Sequence, residues 1–97
     1  MNEADLEQEI QSKELTAPRL TPELIDSMIV KSSYHIFTDT QLTVCCLVLL
    51  NGFTVTGESA CVSPENFNRK IGREIAYKNA RDKIWQLEGY LLAQKLW

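Results

Sequence analysis

Four side chains in the second half of the chain recur at intervals of four residues: Arg69, Arg73, Tyr77 and Arg81. Residues four apart share one face of an α-helix, so a helix through this segment aligns them in a row. Arginine is a planar cation that binds phosphate through paired hydrogen bonds, and a tyrosine ring can stack on a base. Asn66 lies just before the row, where the start of a helix itself attracts anions. These five residues predict a site for a nucleotide or nucleic-acid ligand.

The same row has an alternative interpretation as an ordinary solvated helix face. Arg81 and Lys78 would then pair with Glu74 and Asp82 along the helix, and Tyr77 would lie at the edge of the core. The sequence leaves both interpretations open.

The net charge of −3 conceals a strong polarity along the chain. Residues 1–26 carry seven acidic and two basic side chains, whereas residues 69–83 carry six basic and two acidic ones. Such asymmetry attracts anionic ligands to one end of a molecule. We expect residues 1–20 to form a flexible acidic arm, because they lack sustained hydrophobic periodicity and contain an extended proline connector. Residues 21–97 then form a single α+β domain.

Several function classes are disfavoured by what the sequence lacks. It has no apolar stretch long enough to span a membrane and no secretory signal, so we expect a cytoplasmic protein. Cys45, Cys46 and Cys61 form no Cys-x-x-Cys pair, and His35 is the one histidine, so neither a disulfide framework nor a metal site is expected. There is no phosphate loop, no dinucleotide-binding loop and no paired acid–base motif. We therefore expect no enzymatic activity and no cofactor.

The hydrophobic pattern predicts an α+β fold with a short N-terminal helix, an antiparallel three-stranded sheet and a long C-terminal helix packed on it. A capping residue followed by proline starts the first helix at Thr21, and we expect this helix to reach Lys31. The same device at Ser63 starts the long helix, which is expected to reach about Leu87, close to an interruption at Gly89. Small residues along the long helix allow it to approach the sheet closely.

Three predicted strands fill the middle of the chain. A short strand over residues 34–37 and a turn over residues 38–40 come first, and residues 41–50 form the second strand. Residues 53–58 return from a two-residue hairpin turn at Asn51-Gly52, and we expect Phe53 and Val55 to face the core. Both faces of the second strand are apolar, so either helices cover both faces or one face is a subunit interface. We expect a homo-oligomer, formed through the outer sheet face and the hydrophobic residues that lead to Trp97.

Several segments of the chain resemble a family of small proteins from tailed phages and prophages. The segments that carry the resemblance are NGFTVTGESACV, PENF, IGREIAYKNARDKIW and LEGY. The resemblance to the family extends from about Thr21 to Leu92, which is most of the chain. The family is similar to the first class of phage Thoeris anti-defence proteins, which are oligomeric sponges for cyclic ADP-ribose-type immune signals. The resemblance implies a role in host takeover without catalysis, and it transfers no binding residues to this chain.

A weaker resemblance is to double-stranded RNA-binding domains, whose order of elements is helix, three strands, helix. In those domains basic residues at the start of the last helix contact phosphates, and Arg69, Lys70 and Arg73 hold that position here. The net acidity and the apolar outer sheet face depart from the pattern, since a dedicated RNA binder usually has a basic domain. A third hypothesis is inhibition of a host protein by the acidic arm or by Trp97.

Overall fold

The computed structural model describes residues 2–13 and 17–97. The helices and strands are, in chain order, α1 (Glu3–Ser12), α2 (Pro22–Ser27), β1 (Ile29–Ile36), β2 (Leu42–Leu49), β3 (Thr54–Ala60) and α3 (Arg69–Leu96). The strands form one antiparallel sheet with β2 in the centre, and α3 packs across one face of it. This arrangement confirms the predicted α+β class. Met1 and residues 14–16 of the predicted arm lie outside the described residues.

The helix α2 begins where its cap predicts but ends earlier than expected. The Thr21 hydroxyl accepts a hydrogen bond from a backbone N–H of the first turn at 3.1 Å. The helix ends at Ser27, because the chain from Ile29 onward pairs with β2. Sheet pairing suits the β-branched residues of this segment better than a helix does. The predictions that the helix reaches Lys31 and that the first strand covers only residues 34–37 are therefore wrong.

The hairpin between β2 and β3 forms at the predicted Asn51-Gly52 pair, but its loop has three residues instead of two. The N–H of Gly52 donates to the carbonyl of Leu49 at 2.9 Å, and the N–H of Leu49 donates to the carbonyl of Phe53 at 2.8 Å. Gly52 takes the left-handed conformation, with φ 85°, whereas Asn51 does not. A three-residue hairpin loop needs one such residue, at the position that the glycine holds.

The central strand β2 is buried on one face and half-buried on the other. Its inward side chains are Thr43, Cys45, Leu47 and Leu49. Its outward side chains are Leu42, Val44, Cys46 and Val48. In the described part of the chain, helices cover the inward face alone. The alternative in which helices cover both faces is therefore wrong, and a half-exposed apolar stripe remains on the outer face.

Small residues let α3 approach the sheet closely, as predicted. The buried positions of the helix are Gly72, Ala76, Ala80 and Ile84. The facing residue is Gly57 on β3, where an added Cβ atom would overlap the backbone oxygen of Ala76 and the backbone nitrogen of Ala80. The backbones of helix and strand therefore touch at Gly57, and no side chain fits between them.

The limits of α3 differ from the prediction at both ends. Residues 64–66 form a single 3₁₀ turn, and the backbone is extended again at Phe67 before the α-helix begins at Arg69. The helix then continues without interruption through Gly89 to Leu96. One glycine costs a helix about 1 kcal/mol, which is too little to end a long helix whose earlier turns are packed on the sheet.

The alternation of buried and exposed side chains along β3 is partly as expected. Val55 is buried, as predicted, against the core. Phe53 was expected to be buried with it but is 56% exposed, because it lies before the first residue of β3 and next to the hairpin loop. Exposed apolar residues therefore gather at this end of the sheet.

Candidate functional site

The predicted row of side chains lies along the flank of α3 that faces α2. Arg81 donates a hydrogen bond to Asp26 of α2 at 2.8 Å. Tyr77, one turn earlier, is partly buried against the core. Because residues four apart share a face, Arg73 and Arg69 continue the same flank toward the start of the helix. The structure therefore brings Arg69, Arg73, Tyr77 and Arg81 into one line.

Acidic side chains engage Arg81 from two other helices. Its guanidinium forms a bidentate pair with Glu3 of α1, at 2.6 and 2.8 Å, in addition to the bond with Asp26. These hydrogen bonds, first of all the pair with Glu3, raise the pKa of Arg81 above its ordinary value. The side chain is only 14% exposed. The expected pairing along the helix is present for Lys78, which contacts Asp82 at 3.2 Å, whereas Arg81 pairs across the fold.

Arg69 and Arg73 are the accessible cations of the row. Both side chains are exposed, and neither forms an ion pair with any other residue in the ranges 2–13 and 17–97. Arg69 lies in the first turn of α3, where Asn68 caps the helix by accepting from a backbone N–H at 3.1 Å. Two free guanidinium groups one turn apart suit the oxygens of one phosphate or of two neighbouring phosphates.

Two tyrosines lie beside the row. Tyr34 on β1 is opposite Cys45 on β2, so its ring points to the same sheet face as α3. Because α3 packs mainly on β2 and β3, Tyr34 keeps 40% of its surface exposed. We group these side chains under the name tyrosine cleft: Tyr34 and Tyr77 are close enough for their phenols to interact electrostatically, and Arg73 is one turn from Tyr77 on the same flank of α3.

The tyrosines of the cleft are neutral at pH 7. Burial raises the pKa of Tyr34 and of Tyr77 above the usual value, and each phenol is close enough to Cys45 for the electrostatic interaction to add to the shift. A neutral phenol can donate a hydrogen bond or stack on a ring, but it does not accept a proton as a general base. The cleft therefore offers cations and aromatic faces.

Cys45 beneath this cleft is a core residue. Burial raises the pKa of its thiol, so the thiol stays protonated and unreactive at neutral pH. His35 lies opposite Val44 and therefore points to the other sheet face, where its ring packs edge-on against Phe37 with 4.6 Å between centroids. Cys45 and His35 do not form a nucleophile–base pair, because the sheet separates them.

Asn66 lies away from the row. It lines a separate cavity of about 170 Å³ where the end of β3 meets the start of α3. Ile71 and Ile75 of α3 line the same cavity, on the other side of the buried stripe from Tyr77. The structure does not bring Asn66 together with the arginine row, and its part in ligand binding stays a prediction.

A second ion pair attaches α1 to the rest of the protein. Arg19 donates to the two carboxylate oxygens of Glu7 at 2.8 and 2.6 Å. This hydrogen bonding lowers the pKa of Glu7 below its usual value. The Glu7–Arg19 and Glu3–Arg81 pairs connect α1 to the rest of the protein at two points. The flexibility expected of residues 1–20 stays a prediction.

Acid should release α1. A carboxyl whose pKa is lowered in the folded state contributes stability above its ordinary pKa of about 4.3, and that contribution disappears as the pH falls through the lowered value. The protection factors of the α1 amides, obtained by NMR after division by the intrinsic exchange rate at each pH, should therefore stay constant from pH 7 to about pH 5 and fall below about pH 4. Glu7→Gln should remove much of this pH dependence. A loss of protection that begins near neutral pH would contradict the assignment to Glu7.

The fold and the arginine row together define a small α+β protein with an exposed cationic helix flank. The chain matches the model of the Phage protein (N4 Gp49/phage Sf6 gene 66) family over residues 20–96, and it therefore belongs to this family of phage proteins. The match includes α2, the sheet and α3 and leaves α1 outside, and it confirms the predicted resemblance to a phage protein family. No curated protein and no solved structure gave a match. None of the described helices is long and apolar enough to cross a membrane.

Proposed function

We propose that this phage protein is a non-enzymatic accessory protein that binds and sequesters a cyclic nucleotide-type immune signal in the host cytoplasm. The observation that carries the proposal is the row on α3, in which Arg69 and Arg73 are exposed and form no ion pair within residues 2–13 and 17–97. Tyr77 follows them in the row, and Tyr34 of β1 lies close to Tyr77. The resemblance to anti-defence sponges supports the choice of ligand class.

The chemistry of the cleft suits binding better than turnover. Arg69 and Arg73 would hold the phosphates of the ligand, because guanidinium groups form paired hydrogen bonds with phosphate oxygens. Tyr34 and Tyr77 would contact the base through their ring faces or donate hydrogen bonds from neutral hydroxyls. Permanently charged arginines and phenols with raised pKa values are poor proton acceptors at pH 7, so the proposal assigns these groups binding contacts.

The purified protein should release a small nucleotide when it is denatured. Wild-type protein is produced in cells that make the immune signal, and the released compounds are measured by mass spectrometry. Arg73→Ala should retain roughly tenfold less nucleotide, because it loses a charge-assisted bidentate contact. Arg69→Ala should have an effect in the same direction.

The matched control is Lys83→Ala, which removes an exposed cation of α3 outside the row. This variant should retain as much nucleotide as the wild type. The proposal fails if wild-type protein releases no nucleotide, and the site fails if Arg73→Ala and Lys83→Ala retain equal amounts.

One structural observation favours binding of double-stranded RNA as a second candidate function. The order α2-β1-β2-β3-α3 places two helices on one face of an antiparallel three-stranded sheet, which is the order found in double-stranded RNA-binding domains. Exposed basic side chains stand in the first turns of α3: Arg69, Lys70 and Arg73. The affinity for RNA would fall steeply as the salt concentration rises. Arg73→Ala would lower the slope of log affinity against log salt concentration by about one. Release of a small nucleotide from the purified protein would favour the first candidate.

A further inference from the structure

The helix α3 is longer than the sheet that it covers. Its 28 residues span about 42 Å, whereas an eight-residue strand spans about 26 Å. The fully buried side chains of the helix stop at Ile84. The last three turns therefore project past the hairpin with one side uncovered.

A groove lies between these turns and the hairpin end of the sheet. It encloses about 340 Å³, and we call it the C-terminal groove. The side chains that form its apolar lining are Met28, Leu49, Phe53, Leu87, Tyr90 and Leu91. Glu88 adds one negative charge to the lining. The groove is distant from the tyrosine cleft, which lies near the other end of α3.

The apolar surface here is as large as a dimer interface requires. Six large apolar side chains in the groove or next to its lining residues are between 38 and 97% exposed: Leu50, Phe53, Leu87, Tyr90, Leu91 and Trp97. Together they expose on the order of 800 Å², similar to the roughly 800 Å² that each partner of a stable interface buries. Monomeric proteins rarely expose this much apolar surface at one end of the fold.

We propose that the C-terminal groove binds the last turns of α3 from a second copy of the chain, with the two helices antiparallel about a two-fold axis. Such a pairing is self-complementary, so each copy contributes both a groove and a helix end. The charges support this orientation: antiparallel pairing centred between Leu91 and Leu92 places Lys95 of one copy against Glu88 of the other. In the same register Trp97 reaches Gln86, which lines the groove.

The outer face of β2 fits a second copy less well. Its apolar stripe is only half-exposed, so a partner would bury little additional area there. Polar side chains on the neighbouring strands flank the stripe, including His35 on β1 and Glu58 on β3. The proposal therefore selects the C-terminal groove from the two surfaces expected to mediate oligomerisation, and it does not depend on the identity of any ligand.

Analytical ultracentrifugation of the full chain tests the proposal. The wild type should sediment as a dimer, and Trp97→Ala should raise the dimer dissociation constant by roughly tenfold or more. Trp97 is 97% exposed within one chain, so its removal leaves the fold of the monomer intact. Val62→Ala is the matched control, because Val62 is fully exposed outside the groove. It should leave the dissociation constant unchanged.

Charge reversal tests the antiparallel register. Glu88→Lys and Lys95→Glu should each weaken the dimer, because each places like charges together, and the double variant should recover most of the loss. The proposal is overturned if the wild type is monomeric at every concentration, or if Trp97→Ala and Val62→Ala behave alike. It is equally overturned if the double reversal is no better than the single ones, or if Val44→Asp on the outer face dissociates the dimer while Trp97→Ala does not.

Discussion

Replacing Gly57 with alanine should lower the free energy of unfolding by about 3 kcal/mol, a large fraction of the stability of a domain of this size. The added Cβ would overlap backbone atoms of Ala76 and Ala80, and it would lie 2.8 Å from the Cα of Ala80. Backbone cannot rotate away as the end of a flexible side chain can. Strand β3 and helix α3 would have to move apart at Gly57, where their backbones touch.

The measurement is urea unfolding followed by circular dichroism, with Gly89→Ala as the control. An alanine Cβ at Gly89 meets only the Cδ1 of Leu20, at an ordinary 3.8 Å. This substitution should therefore raise stability by about 0.5–1 kcal/mol, since alanine favours the helix interior over glycine. Equal effects of the two substitutions would show that the contact between the backbones of β3 and α3 does not limit the packing.

Replacing Arg81 with alanine should loosen α1 and cost about 1–2 kcal/mol of stability, after allowing for solvent screening of its partly exposed partners. The guanidinium holds Glu3 of α1 and Asp26 of α2 at the same time. An isolated helix of ten residues is marginal in water, because nucleation costs more than so few hydrogen bonds return. With Glu7–Arg19 as the remaining ion pair between α1 and the other described residues, the amide protons of α1 should lose most of their protection.

Hydrogen exchange measured by NMR reports this release residue by residue. Lys78→Ala is the matched control, since it removes a cation of α3 whose pair with Asp82 is exposed on the helix surface. It should change stability by less than about 0.5 kcal/mol and leave α1 protected. A double-mutant cycle of Arg81→Ala with Glu3→Gln measures the interaction free energy of the Arg81–Glu3 pair. Unchanged protection of α1 in Arg81→Ala would show that other contacts hold the helix.

The local features of the fold were predictable from the sequence, because each depends on a few neighbouring residues. The cap at Thr21 starts α2 because a hydroxyl and a following proline suit the first turn of any helix. The pair Asn51-Gly52 marks the hairpin because the loop needs a residue with positive φ, although the sequence did not reveal that the loop has three residues. The small residues of α3 likewise predicted close packing against the sheet.

The candidate site was predictable only as a row along one helix. The spacing of Arg69, Arg73, Tyr77 and Arg81 aligns them, and the structure keeps them in line. Tyr34 could not be identified from the sequence as their neighbour, because its position depends on the register between β1 and β2. A shift of one residue would turn the ring to the other face of the sheet.

Local propensity and periodicity were enough to predict the α+β class, the cap of α2, the position of the hairpin and the polarity of charge, whereas the predicted cap at Ser63 does not start α3. The tertiary structure alone decided which face of β2 is buried, that Gly57 touches α3, and that Arg81 binds acids 55 and 78 residues away. The physical reason is that such contacts depend on how separate elements dock. Docking is governed by the total area buried and by steric fit, which no short segment of the chain contains.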